Sequence, residues 1–267
     1  MIEILVIYSE NDQAGVSIVK KLIENNNFKK EKMLRNDIYK KDNMKIISTN
    51  KNLVEINDLS YFNSDIYVFA SKHKAEKGKP TISGHFTGNF SSEARLGGNG
   101  KEVAISCPGL LSDYMKNLWS LKNEIEEFDI VIEATHHGPT SLDKPLIFIE
   151  IGPSMKEWVN EDAAELVSKS LWKSCSQISK SNKVAIGFGG PHYSKKFTEF
   201  IVESEFSLAS VASKYNLQYI DKEMIIQMRN KSIDPVRYAA LDWKGLGKEK
   251  NRLMNLINEL DLEVIKI

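Results

Sequence analysis

Five histidines (His73, His85, His136, His137 and His192) and two carboxylates at the ends of apolar runs (Glu133 and Glu150) are the side chains best suited to chemistry near neutral pH. An imidazole loses and regains a proton in that range, or ligates a metal. A carboxylate beside it orients the ring, ligates the same ion or acts as a base. The densest part of this set lies in residues 128–153, FDIVIEATHHGPTSLDKPLIFIEIGP. There, two short β-branched runs, 130–132 and 146–149, flank a polar turn that opens His136-His137-Gly138-Pro139. Glu133 stands three residues before His136. Glu150, between Ile149 and Ile151, faces one side of a strand and needs a basic partner there. A second turn, Gly189-Gly190-Pro191-His192, ends another apolar run. Its unblocked N–H groups suit a phosphate or a developing oxyanion, or simply close a tight turn. Thr140, just past Pro139, is placed to meet a ligand or, with Ser141, to cap a helix.

Other catalytic signatures are missing. The chain has no G-x-S-x-G elbow, no H-E-x-x-H and no Walker loop. Gly187-Phe188-Gly189 begins like a dinucleotide turn, but Pro191 intrudes and His192 takes the third glycine's place. Neither Cys107 nor Cys175 has a histidine nearby in sequence, so a thiol nucleophile is unsupported. Water-mediated hydrolysis or a phosphate-binding transferase remains.

The elements that must carry these groups follow from hydrophobic periodicity. Residues 2–8 predict a buried strand, and Ser9 or Asp12 caps a helix with Val16, Val19, Leu22 and Ile23 inward. Residues 29–45 hold seven basic side chains (29, 30, 32, 35, 40, 41, 45) against three acids (31, 37, 42), as expected of a solvated connection. Residues 65–70 predict a core strand that empties into a polar stretch, 71–90, with Lys72, His73, Lys74, Lys77, Lys79 and His85. A turn at 97–101 and a short strand at 102–106 precede a helix over 110–128, with Leu111, Tyr114, Met115, Leu118, Leu121 and Ile125 inward. A second long helix is expected over 156–179, then a strand at 183–188, mostly helix over 197–215 and an edge strand at 217–220. The tail 241–260 ends as an amphipathic helix. Alternating strands and helices imply a three-layer α/β/α sandwich with a mixed sheet, built as a single domain over residues 1–267. Every histidine follows a predicted strand, so the five are expected to meet where the carboxyl ends of parallel strands share one edge.

The 267 residues are 42% apolar, ample for a core, and 36 basic side chains balance 36 acidic ones. A net charge of zero excludes a global electrostatic argument for nucleic acid, membrane or acidic substrate. Two cysteines make no disulfide framework, and no apolar run approaches transmembrane length, so a cytoplasmic protein without membrane contact is expected.

The segments ATHHGPTSLDKPLIFIEIGPS (134–154) and GFGGPHYSKKFTE (187–199) resemble the archaeal and plant type of D-aminoacyl-tRNA deacylase. SKHKAEKGKPTISGHFTGNF (71–90) and LDWKGLGKEK (241–250) are similar to that family's segments too. The resemblance implies hydrolysis of the ester joining a D-amino acid to the 3′ acceptor end of tRNA. It further implies a phosphorylase/hydrolase-like fold related to peptidyl-tRNA hydrolase, and zinc (Zn2+) as cofactor, with no ligand assigned. One departure bears on the zinc: the family often carries Gly-His shortly before Lys-Tyr, whereas Ala209 and Ser210 precede Ser213-Lys214-Tyr215 here. An aminoacyl ester is already activated, so one base, a positioned water and an oxyanion cradle suffice. On this reading His136 or His137, held by Glu133, activates water directly or through a metal. His192 and the backbone of Gly189 and Gly190 face the ester carbonyl, while His73, His85, Lys72 and Lys79 hold the terminal adenosine and its phosphates. The stretches 29–45 and 72–79, with Lys195 and Lys196, are the candidate tRNA footprint. Alternative readings are a nucleoside phosphorylase-like or metallo-amidohydrolase enzyme, and a non-catalytic RNA-binding module.

Overall fold

The computed structural model describes residues 2–33, 36–75 and 78–267, so Arg35 and Lys77 of the expected basic patches lie outside the described residues. The first half of the chain builds most of a mixed sheet: β1 (Ile4–Ser9), the helix α1 (Gln13–Asn26), β2 (Lys29–Met33), β3 (Asn36–Lys41), β4 (Met44–Thr49), β5 (Ile66–Lys72) and β6 (Thr81–His85). A two-stranded ribbon, β7 (Gly88–Asn89) with β8 (Glu102–Val103), leads to α2 (Pro108–Ser120). Then follow β9 (Asp129–Glu133), β10 (Leu146–Gly152), the short α3 (Met155–Trp158) and α4 (Glu161–Ser176). The last third holds β11 (Val184–Phe188), β12 (Tyr193–Ser194), α5 (Lys195–Val202), β13 (Ser207–Ala212), α6 (Lys222–Asn230), β14 (Val236–Leu241), α7 (Lys250–Glu259) and β15 (Glu263–Lys266).

Nine strands form one sheet in the order β12-β9-β6-β10-β5-β1-β4-β3-β2. The period-2 pattern of its central strands sorts their side chains cleanly onto two faces. Ile4, Val6, Ile66, Val68, Ile147 and Ile149 pack against the helix layer of α1, α2 and α4. Leu5, Ile7, Tyr67, Phe69, Leu146 and Phe148 pack on the opposite face, under Leu53, Ile56 and Leu59. Each such fully buried side chain contributes about 1.5–3 kcal/mol. Asp12 caps α1 by accepting from the Gly15 N–H at 3.0 Å. A Cβ on Gly15 would meet the Ala70 carbonyl oxygen at 2.5 Å, so only glycine lets α1 sit this close to β5.

The other sheet is all-parallel, in the order β13-β11-β14-β15. One face receives α6 and α7 through Met224, Ile225, Met228, Leu253 and Ile257. Its other face, through Ala185, Leu208 and Val211, joins the main apolar cluster with Phe197 of α5. The α/β sandwich and the mixed sheet are as expected.

Several elements differ from the sequence reading. Residues 29–45 are not a bare connection: β2, β3 and β4 form an antiparallel meander at one sheet edge. The helix expected to run to 128 stops at Ser120, although Ile125 and Phe128 are still buried. The helix expected over 156–179 is broken before Asn160, whose side chain caps α4 by accepting from Ala163 N–H at 2.8 Å. Residues 207–212, SLASVA, form the buried strand β13 instead of helix, because small side chains suit a strand enclosed on both faces. Residues 217–220 are a single 3₁₀ turn rather than a strand, and α6, β14 and β15 were not anticipated.

Candidate active site

The histidines converge, but not where parallel strands would have placed them. β6 and β9 run antiparallel to β5 and β10, so these four strands do not share a carboxyl rim. The site lies on the face of the nine-stranded sheet away from the helices. In register across that face, Glu150 opposes Ser71 and Ser83, and His85 opposes Phe148. Ring centroids are 4.4 Å apart for His85 and His136, 4.3 Å for His136 and His137, and 4.4 Å for His136 and His192. His73 stands 6.2 Å from His192.

Backbone carbonyls fix three of the rings. Nδ1 faces a carbonyl oxygen at 3.1 Å in His85, 2.8 Å in His136 and 2.6 Å in His137. A carbonyl only accepts, so each Nδ1 carries the proton and, in the neutral ring, leaves the Nε2 lone pair free. His137 reaches this geometry from a left-handed backbone, φ 44°, a conformation uncommon for residues with a side chain. His85 Nε2 is buried and makes no hydrogen bond within the protein. Donor atoms of His85, His136 and His137 lie within 4.8 Å of one another. Three imidazoles with anchored Nδ1 and ligand atoms this close together fit a zinc ion. Donors of His73, Glu133 and His192 come equally close, but those side chains already bond to one another.

Two carboxylates lie beneath the rings. Glu133 Oε1 accepts from Ser83 Oγ at 2.5 Å, and Oε2 faces His192 Nε2 at 2.8 Å, His73 Nδ1 at 3.3 Å and His136 Nε2 at 3.7 Å. Glu150 Oε2 faces His73 Nδ1 at 3.5 Å and His85 Nε2 at 3.7 Å. The Tyr193 hydroxyl meets the far nitrogen of His73.

This packing splits the titrations. Burial works against charge on His73, but Glu133 and Glu150 outweigh it and push the ring up to about 10. Burial raises both glutamates, yet His192 and His73 bring Glu133 well below the usual carboxylate range, and His73 and His85 lower Glu150. Burial and the charge of His85 hold His136 well below the ordinary imidazole value and bring His137 to about 4. His136 and His137 are therefore neutral at pH 7, and His73 is cationic. Full burial opposes charge on His85 while Glu150 raises it, so a proton on Nε2 is electrostatically favoured yet has no acceptor within hydrogen-bond reach. A cation at that nitrogen would satisfy both conditions.

A cavity of about 810 Å³ opens over the cluster. Lys72, His73, His136, His137, Glu150 and His192 line it, together with Asp12, Lys51, Val54 and Leu96. Glu133 and His85 lie just below its floor. Other expected site residues sit elsewhere. Lys79 lines a separate cleft with Thr81, Pro153 and Lys195. Thr140 donates to Glu102 at 2.7 Å and accepts from Asn99 N–H at 2.8 Å, tying the histidine turn to the 97–102 turn. Gly189 and Gly190, at φ 101° and 72°, pack against Asp242 rather than the cavity, and the Gly190 carbonyl accepts from Lys214 N–H at 2.8 Å. Ala209 and Ser210 are buried in β13. Sequence reasoning missed Leu96, Val54 and Lys51, which come from irregular segments with no periodic signal, and saw Asp12 only as a helix cap. Asp12 also accepts from Lys72 N–H at 2.9 Å, so it links α1 to the cavity wall. Both cysteines are buried, and burial pushes the Cys107 thiol up to about 12, which removes it as a nucleophile. Among the described residues, no helix is long and apolar enough to cross a membrane.

Known proteins match this chain along most of its length. The crystal structure of a conserved protein of unknown function, AF0625, superposes with a TM-score of 0.92 at 26% identity, covering 99% of this chain and 95% of that one. Proteins named D-aminoacyl-tRNA deacylase are similar in sequence. That of Pyrococcus furiosus is 35% identical over 265 residues, 96% of each chain, and that of Methanocaldococcus jannaschii is 34% identical over 255 residues, 91% of this chain and 97% of its own. The D-aminoacyl-tRNA deacylase of Cenarchaeum symbiosum is 39% identical over 201 residues, 75% of this chain and 77% of its own. The sequence profile of this family matches residues 60–265, which contain every histidine and glutamate of the site, and the chain belongs to the D-aminoacyl-tRNA deacylase family.

Proposed function

We propose that this protein hydrolyses the ester bond of D-aminoacyl-tRNA, releasing the free D-amino acid and tRNA, at the imidazole–carboxylate cluster on the sheet face. The observation that carries the reading is the pairing of His192 with Glu133 at 2.8 Å, at the floor of a cavity sized for an aminoacylated nucleoside. Glu133 holds His192 more closely than it holds His136, so His192 is the better-oriented base. Its ring is 33% exposed and reaches the cavity, where it takes a proton from the attacking water. The same ring returns a proton to the departing ribose oxygen. The cationic His73 offsets part of the negative charge of Glu133 and Glu150 and places one positive group beside the developing oxyanion.

His85, His136 and His137 would hold a zinc ion, whose Lewis acidity would assist attack on the ester. The support is the closeness of one ring nitrogen from each and the buried Nε2 of His85 without a hydrogen-bond partner. Leu53, Val54 and Leu96 give the cavity wall its apolar side chains, where a steric clash would reject an L side chain. The protein acts in the cytoplasm on this reading, where charged tRNA is made.

The test follows release of D- and L-tyrosine from charged tRNA, with and without a chelator, and again with His136→Ala. D-selective release that falls at least 100-fold in the variant and recovers with zinc after chelation is expected. Equal handling of both enantiomers ends the stereospecific reading, and chelator-insensitive activity removes the metal.

A further inference from the structure

Several lysines named from the sequence as a tRNA footprint are neutralised or remote, although Lys72 and Lys74 line the cavity itself. Lys30 pairs with Asp37 at 2.8 Å, Lys45 with Glu3 at 3.4 Å and Lys196 with Asp242 at 2.7 Å. β2 and β3 also lie at the end of the nine-stranded sheet farthest from β9 and β12. Beyond the cavity wall, a second group of unpaired lysines sits at the carboxyl rim of the small parallel sheet. All four of its strands end there. β13 delivers Lys214 and Tyr215, β14 delivers Trp243 and Lys244, and β15 delivers Lys266. The Lys250 and Lys266 ammonium groups stand 4.3 and 4.1 Å from the centre of the Trp243 ring, which holds two cations together without neutralising them. Tyr215 is 63% exposed, with the Lys214 ammonium 5.1 Å from its ring centre. Lys214, Lys244, Lys250 and Lys266 have no carboxylate within 4.0 Å among the described residues. The rim also adjoins the active site: Lys214 N–H donates to the Gly190 carbonyl, two residues before His192.

We infer that this rim binds the single-stranded 3′ end of the RNA, leading its terminal nucleoside into the histidine cavity. The inference rests on the reading of the cavity as a D-aminoacyl-tRNA deacylase site. Three interstrand steps make the rim about 14 Å wide, enough for a few nucleotides. Unpaired lysines interleaved with an exposed tyrosine are what a single strand requires, since phosphates meet ammonium groups while a base stacks on the ring. No sequence is read at such a surface, which suits an end shared by all tRNAs.

The experiment uses the full chain with Lys214, Lys244 and Lys266 each changed to Gln, singly and together. Binding of uncharged tRNA is measured by filter retention against salt, and D-tyrosine release is compared on tRNA and on the D-tyrosyl ester of adenosine. The triple variant is expected to bind tRNA at least tenfold more weakly, with a salt slope smaller by about 0.7 per lysine. Its loss of kcat/KM on tRNA should exceed its loss on the adenosine ester at least fivefold, in KM. Tyr215→Ala should weaken tRNA binding without changing the salt slope, a second readout at an exposed position. Unchanged tRNA affinity in the triple variant overturns the rim, while D-ester hydrolysis by the same protein leaves the reading of the cavity standing. A wild type that releases D-tyrosine from neither substrate overturns that reading, and with it the strand assigned to the rim.

Discussion

Replacing Glu133 by glutamine keeps the shape of the side chain and a partner for Ser83, but removes the charge that His73 and His192 face at 3.3 and 2.8 Å. His73 reports the loss most directly, because two carboxylates push it up to about 10 against the pull of burial. Compared with an ordinary imidazole near 6.5, that is roughly 5 kcal/mol favouring the protonated ring, at about 1.4 kcal/mol for each pH unit. The ring borders the open cavity, and solvent screening reduces the figure to roughly 3 kcal/mol. Glu133 is the nearer carboxylate, so Glu133→Gln should cost about 2 kcal/mol at pH 7, or roughly 4–8 °C in Tm for a chain of this size. A histidine raised on folding adds stability that is complete below its unfolded value and disappears as pH rises through its folded value. Glu133, lowered on folding, adds stability above the ordinary carboxylate range that is lost in acid. The gap between wild type and variant should therefore be widest between about pH 5 and 6.5, shrink above that, and close towards pH 10. Chelator-treated protein, unfolded in urea at pH 6, 8 and 10, measures it. NMR titration of the His73 ring should give a midpoint near 10 in the wild type, displaced downwards in the variant. A wild-type His73 that titrates near 6.5, or a gap that widens from pH 8 to 10, would refute the reasoning.

His85→Leu removes a buried Nε2 that makes no hydrogen bond together with the Nδ1 bond to the Phe86 carbonyl, so it should cost the chelated protein about 1–3 kcal/mol while D-tyrosyl-tRNA hydrolysis falls at least 100-fold. Large destabilisation in urea with activity intact would make His85 a structural residue. Gly15→Ala would set a methyl 2.5 Å from the Ala70 carbonyl oxygen, forcing α1 off β5, and should destabilise by about 1–3 kcal/mol. An unchanged urea midpoint would show that the helix shifts without cost.

The sequence made the types of the site residues legible more readily than their arrangement. Histidines placed after apolar runs, and glutamates ending two of them, mark out Glu133, Glu150 and the HHGP turn without coordinates, because a charged group on a buried strand demands a partner. Their meeting place was inferred from the wrong geometry. Within the mixed sheet the strands before the histidines are read as parallel, whereas β6 and β9 run against β5 and β10, and a run as short as 81–85 says nothing about its direction. The final third was least legible. SLASVA has few large or β-branched side chains, and its burial comes from α2 and α5 on one side and α6 on the other, contacts remote in sequence. Leu96, Val54 and Lys51 reach the cavity from turns whose paths are set by tertiary contacts such as the Gly138 N–H donating to the Leu96 carbonyl at 3.0 Å.

The burial of so much charge is itself an argument about purpose. Glu133 and Glu150 are 1% and 3% exposed, on a sheet face whose neighbouring positions hold Phe69 and Phe148. Desolvating two carboxylates costs several kcal/mol each, and attraction to imidazoles returns that cost only with good geometry. The Glu150 contacts, at 3.5 and 3.7 Å, are too long for strong hydrogen bonds. Apolar residues of similar volume would hold β6, β9 and β10 together at least as well. The cluster is therefore arranged for what it binds rather than for stability. Its neutral rings His136 and His137 face the open cavity, held below the ordinary imidazole value first by burial and then by His85 beneath them.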